Sequence, residues 1–162
     1  MKVYVNTYAK YNEGIGNSVE LDPEDFSDKD EFLEACQEFH GEGEHEFMFQ
    51  DHEDIPARYI NESLISDGLW DEFIPLDDAE REICQLYWDN TDDGVSPQDI
   101  QDKFRGKFDN MTVYAEQFID DCYDVSKMGN LANYIDYEKF GRDLKYDLDV
   151  IEENGYVYIF DS

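Results

Sequence analysis

The sequence contains little positive charge and no long apolar run. Only 12 of its 162 residues are Lys or Arg, against 42 Asp or Glu, and the formal net charge is −30. Because a surface this acidic repels nucleic acid and anionic membranes, we expect neither to be a partner. No apolar stretch approaches the roughly 18 to 20 residues of a membrane span, and the first residues alternate like a strand, which predicts no signal peptide.

Cysteine is also scarce. Cys36, Cys84 and Cys122 are odd in number and far apart in the sequence, so no disulfide framework is predicted. This usage is typical of a reducing compartment, and we expect the protein to work in the cytoplasm.

Aromatic residues, by contrast, are plentiful. The chain is 41% hydrophobic and 15% aromatic, with 12 Tyr and 11 Phe. Acidic disordered segments have few such residues and cannot bury enough apolar surface to fold. The composition therefore predicts a folded protein with an unusually negative surface.

The spacing of apolar residues predicts an α+β fold with strands at both ends and helices between them. Residues 2–9 alternate as a strand does, residues 46–50 form a second candidate strand, and Asn154-Gly155 joins two alternating runs into a C-terminal hairpin. Short helical turns are expected around Arg58–Leu64 and Leu69–Phe73. Longer helices are predicted at residues 28–39, from Asp77 to Trp88, from Ser96, from Thr112 with Cys122 facing inward, and at residues 137–145.

No motif of a common enzyme is present. The chain lacks HExxH, GxSxG, CxxC and P-loop sequences. His40, His45 and His52 lie close together after Cys36, but their spacing matches no familiar zinc site, which favours surface histidines and a core cysteine. Residues 89–94 resemble the start of a calcium loop that then lacks its bidentate Glu. We therefore expect no metal, no cofactor and no enzymatic activity.

With enzyme motifs and metal sites excluded, the candidate functional feature is a set of carboxylates that point away from the core. Asp78, Glu82 and Asp89 are spaced to share one face of the helix that begins near Asp77. Further acids cluster near the C-terminal end of the helix from Thr112, where the helix dipole disfavours anions, so stability alone does not explain them. The predicted partner-binding carboxylates are Asp77, Asp78, Glu82, Asp89, Asp92, Asp93, Asp120, Asp121 and Asp124.

The amount of charge is comparable to that of a DNA segment. Duplex DNA carries one negative charge per about 1.7 Å, so thirty charges match about 50 Å of duplex. Such a surface is suited to compete with DNA for the basic cleft of a DNA-binding enzyme. Plain acidity, for solubility or a high-salt habitat, is the alternative explanation of the charge.

The order of several segments resembles one known family, the ArdA-like antirestriction proteins of mobile elements and phages. The resemblance covers most of the chain, which makes it more specific than any single motif. It is carried by VYVNTYAKYNEG, FQDHEDIPARYINESLISDGLWDEF, LDDAEREICQLYWDN, FRGKFDNMTVYAEQFIDD and NYIDYEKFGRDLKYDLDVIEENGYVYIF.

The resemblance implies a fold and a function. It implies an elongated, curved chain of three small modules, at residues 1–55, 56–108 and 109–162, that pairs into a homodimer. The middle module is expected to be mainly helical. The implied activity is non-enzymatic: a DNA mimic occupies the DNA-binding groove of type I restriction-modification enzymes. The residues expected to support packing or dimerisation are Tyr134, Tyr137, Phe140 and Leu144.

A second hypothesis explains the same acidity by a different partner. The composition also fits an acidic adaptor or inhibitor that binds another basic DNA-binding protein, such as a nucleoid protein. It also makes and breaks no covalent bond. Inhibition that DNA cannot relieve distinguishes it from a DNA mimic.

Overall fold

Two groups of elements make up the chain in the computed structural model, which describes residues 1–91 and 94–162. Contacts divide it into two units, Met1–Leu86 and Tyr87–Ser162. Short antiparallel sheets lie towards both ends of the chain with helices between them, so the α+β prediction is confirmed. The three-module division and the elongated shape stay predictions.

The first unit is built on a three-stranded antiparallel sheet. Its elements are β1 (Lys2–Thr7), α1 (Tyr8–Asn12), β2 (Val19–Leu21), a 3₁₀ turn (Pro23–Asp25), α2 (Lys29–His40), β3 (Phe47–Glu53), β4 (Ile60–Asn61), β5 (Leu64–Ile65) and a π-helical turn (Leu69–Phe73). The sheet order is β2-β1-β3. Val3 and Val5 alternate inward from β1 and are fully buried, as are Phe32 and Cys36 of α2. The 2.0 and 3.6 residue periods of strand and helix therefore produce this core.

The predicted helical turn at Arg58–Leu64 is wrong, because this segment forms a tight hairpin. Ile60 pairs with Ile65 across the two strands, and both side chains are buried. The Asn61 side chain accepts a hydrogen bond from the Ser63 amide at 3.0 Å, a local turn contact that competes with helix. The helical turn predicted at Leu69–Phe73 is confirmed.

The second unit begins within the long helix α3 (Asp78–Asn90), at Tyr87. Its elements are α4 (Pro97–Lys103), β6 (Phe104–Phe108), α5 (Met111–Cys122), a 3₁₀ segment (Val125–Tyr134), α6 (Tyr137–Leu144), β7 (Leu148–Glu153) and β8 (Tyr156–Asp161). The strands form an antiparallel sheet in the order β6-β8-β7. Asn154 and Gly155 have φ of 52° and 82°, so the predicted hairpin turn is confirmed.

Helices α5 and α6 of the second unit pack closely together, whereas the C-terminal end of α5 is exposed. Gly141 of α6 lies so close to α5 that a Cβ there would be 2.5 Å from the Met111 carbonyl oxygen, which accounts for glycine inside a helix. Cys122 is exposed, so its predicted inward position is wrong. The segment after it, Val125–Tyr134, has no buried residue. No helix in the described part of the chain is long and apolar enough to span a membrane.

Candidate functional site

Carboxylates lie at the surface throughout the described residues. Within residues 1–91 and 94–162, the buried polar side chains are those of Asn6, Thr7 and His40, and no Asp or Glu is among them. Burying an unpaired carboxylate is costly, and such burial is how a protein prepares one for acid–base chemistry. The acids of the described chain therefore lie where they are exposed to solvent, at least in part.

Asp77 begins helix α3 through a reciprocal capping box. The Glu80 amide donates to Asp77 Oδ1 at 2.9 Å, and the Asp77 amide donates to Glu80 Oε2 at 2.9 Å. The Asp77 carbonyl oxygen also accepts the first helical hydrogen bond, from the Arg81 amide. Asp77 therefore has a structural role besides its charge.

The next two predicted carboxylates, Asp78 and Glu82, are exposed and line a cavity of about 680 Å³ in the first unit. The Arg81 guanidinium lines this cavity too, but it is held by Glu24 at 2.9 Å and by the Ile74 carbonyl oxygen. Since Glu24 neutralises Arg81, Asp78 and Glu82 leave an excess of negative charge on this side of α3. The predicted face of α3 thus presents carboxylates to solvent in the first unit.

The remaining carboxylates of α3 are divided by what the structure describes. Asp89 is exposed in the last turn of the helix. Asp92 and Asp93, predicted to add charge beyond it, lie outside the described residues.

The acids predicted at the end of α5 are all exposed. Asp120, Asp121 and Asp124 line a shallow cavity of about 510 Å³ together with Cys122 and Tyr123. Lys127 lies 2.7 Å from Asp124, and this contact, followed by the Ser126 hydroxyl, holds the pKa of the Asp124 carboxyl below its usual range. Asp120 and Asp121 take part in none of the ion pairs recorded for the described chain.

Ion pairs engage several other acids, which the sequence does not reveal. Lys2 lies 2.9 Å from Glu20, and this contact lowers the pKa of the Glu20 carboxyl. Lys145 does the same for Glu152. The other pairs between side chains are Lys29–Asp67, Arg81–Glu24, Arg105–Asp161 and Lys127–Asp124. Half of the scarce bases are thus committed to specific acids within the chain.

The histidines and Cys36 do not form a metal centre in the described residues, where no three His, Cys, Asp or Glu side chains converge as ligands. The prediction of a surface position is wrong for His40, which is buried. Its Nδ1 accepts from Lys10 Nζ at 3.1 Å and its Nε2 donates to the Val5 carbonyl oxygen at 3.3 Å. Burial raises the pKa of the Cys36 thiol to about 12, and the predicted core position of this residue is confirmed.

The residues predicted for packing or dimerisation differ in exposure. Phe140 packs on Phe118 with ring centroids 5.9 Å apart, and Leu144 packs against the core of the second unit. Tyr137 is half-buried. Tyr134 is 83% exposed, and Leu131 in the same segment is 69% exposed. The segment before residue 135 therefore exposes apolar side chains that are not buried in the core of the second unit.

Comparison with known proteins shows a family likeness over most of the chain. The family model described as antirestriction protein (ArdA) matches residues 3–158, which is nearly the whole chain. A search of curated proteins returns no match.

Proposed function

Because this chain belongs to the ArdA family of antirestriction proteins, we propose that it inhibits a type I restriction-modification enzyme by occupying the groove that binds DNA. In this proposal its carboxylates take the place of phosphates and meet Lys and Arg side chains of the enzyme. The net charge of −30 steers the two proteins together, because opposite potentials raise the rate of encounter. No covalent bond is made or broken.

The observation that carries the proposal is the exposure of the carboxylates. No Asp or Glu of the described chain is buried, although the fold has a well-formed apolar core. Along α3 and at the end of α5, the predicted acids face solvent, and Asp78, Glu82, Asp120 and Asp121 appear in none of the recorded ion pairs. A surface that serves only solubility does not require acids at the C-terminal end of a helix, where the dipole opposes them.

We extend the proposal to a homodimer that acts in the cytoplasm. The exposed apolar residues Met128, Leu131 and Tyr134 lie in a segment that buries no residue in its own unit. This surface is suited to contact a second copy, whereas Phe140 and Leu144 pack within the second unit.

The test is a competition experiment. Purified protein is titrated into a type I methyltransferase with increasing amounts of unmodified duplex DNA carrying its recognition site. We expect inhibition that DNA relieves in proportion to its concentration, because the protein and DNA exclude each other from one groove. Inhibition that DNA does not relieve would favour an acidic adaptor bound elsewhere, and no inhibition of any type I enzyme would contradict the proposal.

A further inference from the structure

An apolar cavity opens at the edge of the core in the second unit. It has a volume of about 560 Å³, within the range of roughly 300 to 1,000 Å³ that is usual for ligand pockets. Its apolar wall is formed by side chains that pack against the core but are only partly buried. These side chains are Phe108, Phe118, Leu144 and Leu148.

The aromatic wall is held in a fixed arrangement by Tyr114. Its ring lies 5.0 Å from the ring of Phe108 and 6.1 Å from that of Phe118, centroid to centroid. Tyr114 itself is buried and belongs to the core cluster. Because the wall is anchored to the core, the cavity is formed before any partner arrives.

The rim of the cavity is negatively charged. Arg105 makes two hydrogen bonds to the Asp161 carboxylate, so these two charges offset each other. Asp121 and Asp147 also line the cavity, are exposed, and appear in none of the ion pairs recorded for the described chain. The cavity thus combines an apolar wall with a negatively charged rim that attracts cations.

We propose that this cavity receives one large apolar side chain, aromatic or leucine-like, of the basic protein that the chain inhibits. Lys or Arg residues flanking that side chain meet Asp121 and Asp147. A second copy of this chain is expected at the exposed segment Val125–Tyr134 instead, and no residue of that segment lines this cavity. The inference rests on the proposed function and deepens it, since a buried apolar anchor supplies affinity that surface carboxylates alone do not.

The first experiment uses the thiol at the rim. Cys122 lines the cavity and is exposed, whereas Cys36 and Cys84 are buried, so alkylation by iodoacetamide reports on Cys122. We expect a saturating type I methyltransferase to slow alkylation about tenfold or more, as for a residue at the centre of an interface. An unchanged rate with the enzyme still inhibited would overturn this inference and remove the end of α5 from the interface, while the inhibition itself would still support the proposed function. Slowing that depends only on the protein's own concentration would assign the cavity to a second copy and also overturn it.

A pair of matched variants tests the contribution to affinity. Gln117 is exposed and lines the cavity, so Gln117→Trp fills its mouth without a change of charge. Gln98→Trp on α4 is the control, because Gln98 is also exposed and lies outside the lining. We expect the inhibition constant to rise about tenfold or more for Gln117→Trp and to change little for Gln98→Trp. Equal constants in two folded variants would contradict the inference.

A peptide probe decides the matter independently of the enzyme. The amidated peptides Lys-Lys-Phe-Lys-Lys and Lys-Lys-Ala-Lys-Lys are titrated into isotope-labelled protein and followed by NMR. We expect the first peptide alone to shift the resonances of Phe108, Phe118 and Leu144, and the double variant Asp121→Asn, Asp147→Asn to weaken its binding. Equal shifts with both peptides, or none with either, would overturn the inference even if the proposed function holds. Failure of the methyltransferase to bind would instead count against the proposed function.

Discussion

Individual acids of this chain have different roles that their shared charge conceals. Asp77 caps a helix, Asp124 is held by Lys127, and Asp78 stands free at the surface. The sequence predicts all three as phosphate mimics, because capping and ion pairing depend on geometry that spacing alone does not show. At this scale, variants separate the structural contribution of a carboxylate from its charge.

Variants of Asp77 separate the effect of helix capping on stability from the effect of charge. Asp77→Ala removes the capping hydrogen bond to the Glu80 amide, and we expect the free energy of unfolding to fall by about 0.5–2 kcal/mol. Asp77→Asn keeps an acceptor at this position and removes the charge, so its stability stays close to that of the wild type. Urea unfolding measures both. Equal destabilisation by Ala and Asn would show that the charge, and not the cap, stabilises the start of α3.

His40 predicts a pH dependence of stability. Burial, and then the Lys10 ammonium and His45, lower the pKa of His40 in the folded chain, while the Val5 carbonyl oxygen opposes this shift. The unfolded chain therefore binds the proton more readily, and stability due to neutral His40 is complete above the pKa of an unfolded histidine, about 6.5, and is lost as the pH falls below it. The free energy of unfolding of the wild type is expected to fall more than that of His40→Gln between about pH 7.5 and about pH 5.

A variant of Lys10 provides a control for the effect assigned to His40. Lys10→Met removes the cation beside Nδ1, so the pKa of His40 is expected to rise, as measured by NMR titration. A pH dependence that is unaltered by His40→Gln would assign the acid sensitivity to other groups.

At the scale of elements, a helix or turn that is specified by neighbouring residues can be predicted from the sequence. A strand that is specified by its pairing with another strand is harder to predict. Ser96 accepts from the Asp99 amide before Pro97, and the helix begins there as predicted, because a capping motif is complete within four residues. Strands β2 and β6 are not predicted, since each is short and depends on pairing with another strand, which for β6 is distant in the sequence. The outward carboxylates of α3 follow from helical periodicity, whereas the pairing of Arg81 with Glu24 does not.

The role of the carboxylates on α3 can be tested by neutralising three of them and, for comparison, three exposed acids on α2. The triple variant Asp78→Asn, Glu82→Gln, Asp89→Asn removes three exposed charges from α3. The matched control removes three exposed acids from α2, at Asp30, Glu34 and Glu38. Since one exposed ion pair contributes about 0–1 kcal/mol, we expect each single change to be nearly silent and the α3 triple to weaken inhibition about tenfold or more.

The α2 triple is the test of position. If the acids of α3 lie in the interface, the α2 triple weakens inhibition much less, because it changes only the long-range field, which salt screens. Equal losses in the two triples would show that total charge, and not its placement, determines inhibition. A single amide substitution that abolished inhibition in a folded protein would indicate a conventional hot spot instead.

For the whole molecule, net charge affects folding and binding in opposite directions. Thirty uncompensated negative charges repel one another in the folded state, and the same charges attract a basic partner. Composition predicts this conflict directly, because it needs only the sum of charges. Composition does not predict how the apolar core tolerates the repulsion, which depends on keeping every described carboxylate out of the interior.

Salt is therefore expected to stabilise the protein while it weakens inhibition. The screening length falls from about 10 Å at 0.1 M salt to about 3 Å at 1 M, so raising NaCl from about 0.05 M to about 0.5 M reduces both self-repulsion and attraction to the enzyme. The thermal unfolding midpoint should rise over this range while the inhibition constant increases about tenfold or more, as for a ligand that neutralises several charges. A six-fold variant that combines the α3 and α2 triples should show a shallower dependence in both measurements, because it carries fewer charges. Inhibition that is insensitive to salt, together with a midpoint that rises, would separate the acidity from the interaction and contradict a DNA mimic.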